Sequence, residues 1–291
     1  MELLYKFLYH PFINLVLRNL TKPIVRLLKF KLPLSVSGTV KLHYKQTTFH
    51  LKTNPTCSVT HILFMYGASA YEFTPLFAHL ATHSNVFFDV GANIGYFTVL
   101  GEKVNPNLKT FSFEPSAGAF HYLRLNITSN QLKNAVPINK AVSDQNGILT
   151  FYEVLNPKYP WIEHQLSGSH SLQNQFGIEK KRAYPVPAIT LDNVVKQYNI
   201  SQIDLIKLDT EFTEHHILAS GKSVIEKFRP VIISEVYPVI QNNIEEIFRD
   251  MEEYLIYQYK DNGLYLTDVF SQISDVENRN FIFCPLEKRD L

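Results

Sequence analysis

Apolar residues fall into short unbroken runs along most of this chain, and between the runs they recur at helical spacing. The runs are Val86–Val90, Thr110–Phe113, Val136–Asn139, Asp204–Leu208, Val231–Glu235, Leu255–Tyr259 and Phe281–Cys284. Strands buried on both faces read this way, and helices between them imply parallel crossovers. Ile148–Val154 and Tyr184–Ala188 add further strands. Val36–Tyr44 and Thr47–Leu51 alternate like a small hairpin, and Tyr71–His83 has the spacing of a helix. Asn156–Lys181 is polar, with Gly168, Gly177 and the single tryptophan, Trp161. An irregular insertion of that length is expected to be a binding loop or lid. The pattern predicts an α/β fold with a Rossmann-like, mostly parallel sheet over residues 84–291. Residues 1–83 precede it as an N-terminal helical segment and a β hairpin.

The first segment is apolar and basic. Leu3, Leu4, Phe7, Leu8, Leu15, Val16, Leu20, Ile24, Leu27 and Leu28 recur among Lys6, Arg18, Lys22, Arg26, Lys29 and Lys31, with Glu2 as the one acid. Its longest uncharged stretch, Phe7 to Leu17, is interrupted by His10, Pro11 and Asn14. That falls short of the roughly 20 apolar residues a spanning helix needs. No small-residue cleavage site follows a clean apolar core, so a secretory signal is not expected. Two readings stay open: a helix packed on the domain or on a second subunit, or a helix lying on an anionic membrane surface. A cytoplasmic protein is expected, with residues 1–31 as a peripheral membrane contact under the second reading.

Composition narrows the function classes. The chain is 45% hydrophobic and 19% charged, with no signature of disorder. Cys57 and Cys284 show no metal or redox spacing, which excludes a disulfide framework and fits a reducing compartment. Net charge is +1, but residues 1–31 hold six basic residues against one acid. The remainder holds 22 basic and 26 acidic. No domain-wide basic field exists, and nucleic acid is not an expected partner.

The strongest chemical signal is Val86-Phe87-Phe88-Asp89-Val90-Gly91-Ala92-Asn93-Ile94-Gly95-Tyr96-Phe97. A buried strand enters a glycine turn and then an apolar helix, whose first N–H groups are free. Gly91 and Gly95 are expected to remove side chains where a ligand nears the backbone. One βα unit later, Thr110–Phe113 ends in Glu114, placed like the acid that takes ribose hydroxyls in nucleotide-binding sheets. A dinucleotide site favours G-x-G-x-x-G around its pyrophosphate. Here Asn93 replaces the middle glycine, and Asp89 would repel a pyrophosphate yet suits the ammonium of a methionine moiety. S-adenosylmethionine is therefore expected over NAD.

These residues resemble the FkbM family of methyltransferases. D-V-G-A-N-I-G-Y-F at Asp89–Phe97, F-E-P at Phe113–Pro115, L-R-L-N at Leu123–Asn126 and A-V-S-D at Ala141–Asp144 carry the likeness. Leu191-Asp192, I-D-L-I-K-L-D at Ile203–Asp209 and R-P-V-I-I-S-E at Arg229–Glu235 extend it over roughly residues 84 to 240. The resemblance implies the seven-stranded class I methyltransferase fold and S-adenosylmethionine as donor. It also implies O-methylation of a sugar, glycan or natural-product hydroxyl. By position Asp89, Gly91, Asn93 and Gly95 would hold the methionine end, Glu114 the ribose, and Ser143 and Asp144 the adenine. Asp209 would face the methyl group. One departure stands out: Phe212 lies where the family has glycine, a ring where space is expected.

A hydroxyl acceptor is a poor nucleophile at neutral pH, and a general base contributes about 10²–10⁴-fold. Asp209 and Glu211, two apart at a strand end, are the catalytic candidates, with Glu211 as base and Asp209 as orienting group. Phe212, His164 and His170 are candidate acceptor contacts. His215 and His216 beside Asp209 match no standard ligand spacing, so no metal is expected. The competing readings are a non-catalytic protein of the same fold acting at a membrane, and an NAD-dependent oxidoreductase.

Overall fold

The computed structural model describes residues 2–28, 34–174, 180–249, 251, 253–267 and 278–290. It opens with helices α1 (Glu2–Leu8) and α2 (Pro11–Leu28), then the hairpin β1 (Gly38–Tyr44) and β2 (Thr47–Thr53). Helices α3 (Ser58–Tyr66) and α4 (Thr74–Thr82) lead to β3 (Val86–Val90), α5 (Tyr96–Val104), β4 (Lys109–Phe113), α6 (Ala117–Ser129) and β5 (Ala135–Ile138). A small sheet follows, of β6 (Ala141–Val142), β7 (Gly147–Val154) and β8 (Lys181–Ile189). The chain continues through α7 (Leu191–Gln197), β9 (Leu205–Leu208), α8 (Glu214–Ser220), α9 (Lys222–Phe228) and β10 (Val231–Glu235). It closes with α10 (Gln241–Arg249), β11 (Tyr254–Lys260), β12 (Gly263–Leu266) and β13 (Asn280–Pro285).

The main sheet has the order β12-β11-β13-β10-β9-β3-β4-β5. Strands β10, β9, β3, β4 and β5 are parallel, and β13 runs antiparallel between β10 and β11. This is the Rossmann-like, mostly parallel sheet expected from the sequence, with β12 added at the edge as a hairpin partner of β11. The strand runs are apolar because both faces are covered. Phe87 joins the cluster containing Phe49, Phe77, Leu100 and Leu205, and Phe88 joins that of Phe111, Ile206, Ile217 and Phe283. Adjacent residues point to opposite faces of a strand, so one dipeptide serves both cores. Burying a phenylalanine of this kind contributes about 1.5–3 kcal/mol.

The first cluster also holds Val36, Val40 and Phe49, so one core joins residues on both sides of position 83. Side-chain caps define two of the helix starts. Ser116 Oγ accepts from Ala119 N–H at α6, and Thr190 Oγ1 accepts from Asn193 N–H at α7. The strand order reverses at β3, since β4 lies on one side of it and β9 on the other. Ligands of open α/β sheets bind at the carboxyl ends of strands at such a reversal. Of the expected 156–181 insertion, residues 156–174 are irregular and 175–179 lie outside the described residues. Among the described residues no helix is long and apolar enough to cross a membrane.

Candidate active site

The turn after β3 is built on left-handed backbone: Gly91 has φ +75°, Asn93 +49° and Gly95 +85°. The two glycines have a different physical reason from the one expected. A Cβ on Gly91 would stand 1.9 Å from the Asp209 carbonyl oxygen, and one on Gly95 2.5 Å from Leu123 Cδ1. The room they leave is filled by the protein itself, which brings the ends of β3 and β9 together. Gly91 N–H and Ala92 N–H both donate to the Phe113 carbonyl, and Asn93 N–H donates to Glu114 Oε2 at 2.8 Å.

Glu114 is buried, with Ser116 N–H on its other oxygen at 2.8 Å. Burial pushes its carboxyl up to about 7 despite these two donors. Each oxygen has taken one N–H and keeps a further acceptor site, as a carboxylate offers about four in all. Asn93 Oδ1 is also buried without a hydrogen-bond partner.

Behind the turn, Lys207 is the only charge in the apolar run of β9. Its Nζ donates to the Gly91 carbonyl at 2.9 Å and stands 3.0 Å from Asp209 and 3.8 Å from Asp89. Burial alone would lower its pKa, but Asp209 and Asp89 more than offset that and hold it above the usual value. Asp89, its register partner on β3, is fully enclosed; Oδ2 accepts from the Thr98 hydroxyl at 2.6 Å and Oδ1 has no hydrogen bond. A buried lysine must be compensated, and Asp89 does this from behind the turn.

The other end of the site is acidic. Asp209, Glu211 and Glu235 each bring a carboxylate oxygen within 4.8 Å of the others, a set with the oxygen chemistry of a hard-cation site. Part of its charge is already met. Arg279 lies 3.2 Å from Glu235, and the Tyr237 hydroxyl donates to Glu211 Oε2 at 2.8 Å. Burial and then Asp209 raise Glu211 to about 7; burial, Asp209 and Glu211 raise Glu235 to about 8. Glu72 also lines the cavity, and burial and then Asp209 push its carboxyl up to about 7.

Between the two ends lies a cavity of about 380 Å³, within the usual range for small-molecule sites. Of the expected site residues, Gly91, Asn93, Glu114, Asp209, Glu211 and His170 are on its wall. Asp89, Gly95, Ser143, Asp144, Phe212 and His164 are not among the lining residues. Strand β6 ends at Val142, so Ala141 and Val142 line the cavity in place of Ser143 and Asp144, which bond to each other at 2.9 Å. Phe212 stacks on Tyr237 with centroids 3.9 Å apart. It has φ +79°, following Glu211 at +57°, so the glycine expected there answers to backbone conformation rather than to pocket space.

His164 packs on His121 at 4.6 Å, and its carbonyl accepts from Asn54. His170 faces the Val154 carbonyl at 3.3 Å, and burial lowers its pKa to about 4, leaving it neutral at physiological pH. His215 and His216 have tilted rings with centroids 3.9 Å apart, and His216 lies 4.0 Å from Asp144.

The residues that sequence reasoning missed are Glu72, Lys207, Glu235, Tyr237 and Arg279. A signal existed for two of them. Lys207 is a charge inside a buried strand, and Glu235 ends an apolar run as Glu114 does. Arg279 and Glu72 come from segments with no local motif.

The sequence profile described as the methyltransferase FkbM domain matches residues 89–264. The chain is 25% identical over 173 residues to the 31-O-demethyl-FK506 methyltransferase FkbM of Streptomyces tacrolimicus. That alignment covers 53% of this chain and spans 66% of the relative. Among solved structures, methyltransferase FkbM from Methylobacillus flagellatus aligns at a TM-score of 0.45 and 13% identity, over 77% of this chain and 52% of that one. A SAM-dependent methyltransferase from Agrobacterium tumefaciens aligns at 0.44 and 9% identity, over 87% and 72%.

Proposed function

The chain belongs to the FkbM family of S-adenosylmethionine-dependent methyltransferases, and on that premise we propose that it O-methylates a sugar, glycan or natural-product hydroxyl. One observation carries the reading: a single cavity has the under-used carboxylate of Glu114 at one end and the Asp209–Glu211 pair at the other. Bound S-adenosylmethionine supplies an electrophilic methyl carbon, whose transfer leaves a neutral thioether.

The chain's own residues do the rest. Glu114 accepts the two ribose hydroxyls on its remaining acceptor sites. Asn93 and Gly91 lie beside the amino-acid end. Glu211, whose pKa burial and Asp209 raise to about 7, takes the acceptor hydroxyl proton as the oxygen bonds to carbon. Tyr237 fixes the orientation of that carboxylate through its 2.8 Å hydrogen bond. Holding the acceptor oxygen about 3–3.5 Å from the methyl carbon, in line with the bond that breaks, meets much of the barrier. The name of the Streptomyces relative, an O-methyltransferase, favours oxygen as the accepting atom.

Calorimetry and turnover together test this. Glu114→Gln weakens S-adenosylmethionine binding by about 1.5–3 kcal/mol, the worth of hydrogen bonds to a charged group. Glu211→Gln leaves binding intact and lowers turnover on a responsive glycan or polyol acceptor by about 10²–10⁴-fold. Unchanged affinity in folded Glu114→Gln overturns the ribose assignment, and unchanged turnover in Glu211→Gln overturns the base.

A further inference from the structure

Helix α2 meets the rest of the protein with its polar side. Asn14 and Arg18 are buried; Asn14 donates to the Ser35 carbonyl and accepts from Ser37 N–H, and Arg18 donates to the Ser37 and Thr39 carbonyls. The apolar side is turned out. Phe12, Leu15, Val16 and Leu20 share one helical face and are 69, 41, 44 and 63% exposed. Leu3, Leu4 and Phe7 of α1 are exposed as well, at 82, 55 and 60%. A surface helix ordinarily places its apolar stripe toward the core. Seven large apolar side chains facing water together mark an interaction surface.

We propose that this face lies in the headgroup region of an anionic lipid bilayer, with α1 and α2 parallel to its plane. Charge selects that occupant. Residues 1–31 carry six basic side chains and one acid, net +5, whereas the remainder is net −4. Self-association through this face would pair one basic segment with its own copy, since a two-fold interface pairs a patch with itself. An anionic surface attracts such a segment instead.

The edge of the face has the composition of an interfacial belt. Trp161 stacks on Tyr5 at 6.2 Å, with Lys6 5.9 Å over the tryptophan and Lys158 5.2 Å over the tyrosine. Such rings are apolar in body and wet at one end, and lysine stems carry their charge out to the headgroups. With no described helix able to cross a bilayer, the helices lie on the surface rather than span it. The segment that holds Trp161 continues into Ser167, Gly168, Ser169 and His170 of the cavity wall.

Co-sedimentation of the full chain with vesicles tests the proposal. Phosphatidylcholine vesicles containing phosphatidylglycerol bind the protein at low salt, and raising salt to about 0.5 M, where the screening length is only a few ångströms, weakens binding at least about tenfold. Neutral phosphatidylcholine vesicles bind it at least about tenfold more weakly at low salt. The double variant Phe12→Ser, Leu20→Ser loses at least about tenfold in partition, as expected for removing two membrane-facing side chains. Its S-adenosylmethionine affinity and melting temperature stay unchanged. Failure to bind anionic vesicles at low salt overturns the proposal, as does equal binding to neutral ones. Sedimentation velocity supplies the remaining outcome: a dimer formed by the parent and not by the double variant assigns the face to a second copy instead.

Discussion

Replacing Phe212 by alanine and, separately, by glycine isolates a backbone cost from a side-chain gain. Phe212 has φ +79°, its carbonyl accepts from Gln173 Nε2 at 3.0 Å, and its ring stacks on Tyr237 at 3.9 Å. Both substitutions remove the stack, worth about 0.5–1.5 kcal/mol beyond area burial. Only glycine also relieves the left-handed conformation, which costs an L-residue about 1–2 kcal/mol. Against that relief stands glycine's greater freedom in the unfolded chain, about 0.5–1 kcal/mol relative to alanine. The difference leaves Phe212→Gly more stable than Phe212→Ala by about 0.5–1 kcal/mol, the reverse of their order at an ordinary site. Urea unfolding at matched m-values reads this directly as a shift in midpoint. Because Phe212 is off the cavity wall, S-adenosylmethionine affinity is equal in both variants. An alanine variant as stable as the glycine variant, or more so, refutes the claim that the ring bears backbone strain.

Two further predictions concern the charges. Lys207→Met leaves Asp89 buried and uncompensated and costs about 3–5 kcal/mol in urea unfolding. Adding Asp89→Asn recovers most of that loss, whereas Asp209→Asn recovers little, because Asp209, though nearer, is 38% exposed and solvent-screened; the reverse order of rescue refutes the argument. Glu235 has a folded-state pKa raised from 4.5 to about 8, so the stability it contributes is present below about 4.5 and is lost as pH rises through about 8. The melting temperature of the parent therefore falls relative to Glu235→Gln between about pH 5 and pH 9, and a parallel pair of curves over that window counts against the raised pKa.

Much of the fold was legible because burial on both faces leaves a mark in the chain. Val86–Val90 and Val231–Glu235 are strands with the expected ends, and the hairpin at β1 and β2 follows its alternation. The edge strand β12 left a weaker trace, since three of its four residues are exposed. Its turn did carry a signal. Asp261 and Asn262 both have positive φ, the requirement of a two-residue hairpin loop. The N-terminal helices show what periodicity cannot carry. It finds the apolar stripe and does not say which way the stripe faces. Here Asn14 and Arg18 settle that, by satisfying backbone groups of Ser35, Ser37 and Thr39.

At the site, residue identity showed which positions matter more reliably than it showed why. Acids at strand ends were readable, and Glu114, Asp209 and Glu235 all reach the cavity. Gly91 was readable as a close approach, but the atom approaching is the Asp209 carbonyl. That contact lies across the sheet, 118 residues along the chain, and no local spacing encodes it. Asp89 was readable as an acid in need of a cation. The cation nearest to it is Lys207, its neighbour on the adjacent strand, and the pairing follows once β3 and β9 are known to be adjacent. The position of Phe212 depends on the same geometry. Two consecutive left-handed residues let the chain double back after β9, so Glu211 faces the cavity while the next ring turns onto Tyr237. A glycine would satisfy the backbone at that position. The phenylalanine adds the stack on Tyr237, whose hydroxyl in turn holds the carboxylate of Glu211, and the strain at position 212 is thereby tied to the orientation of the group assigned as base.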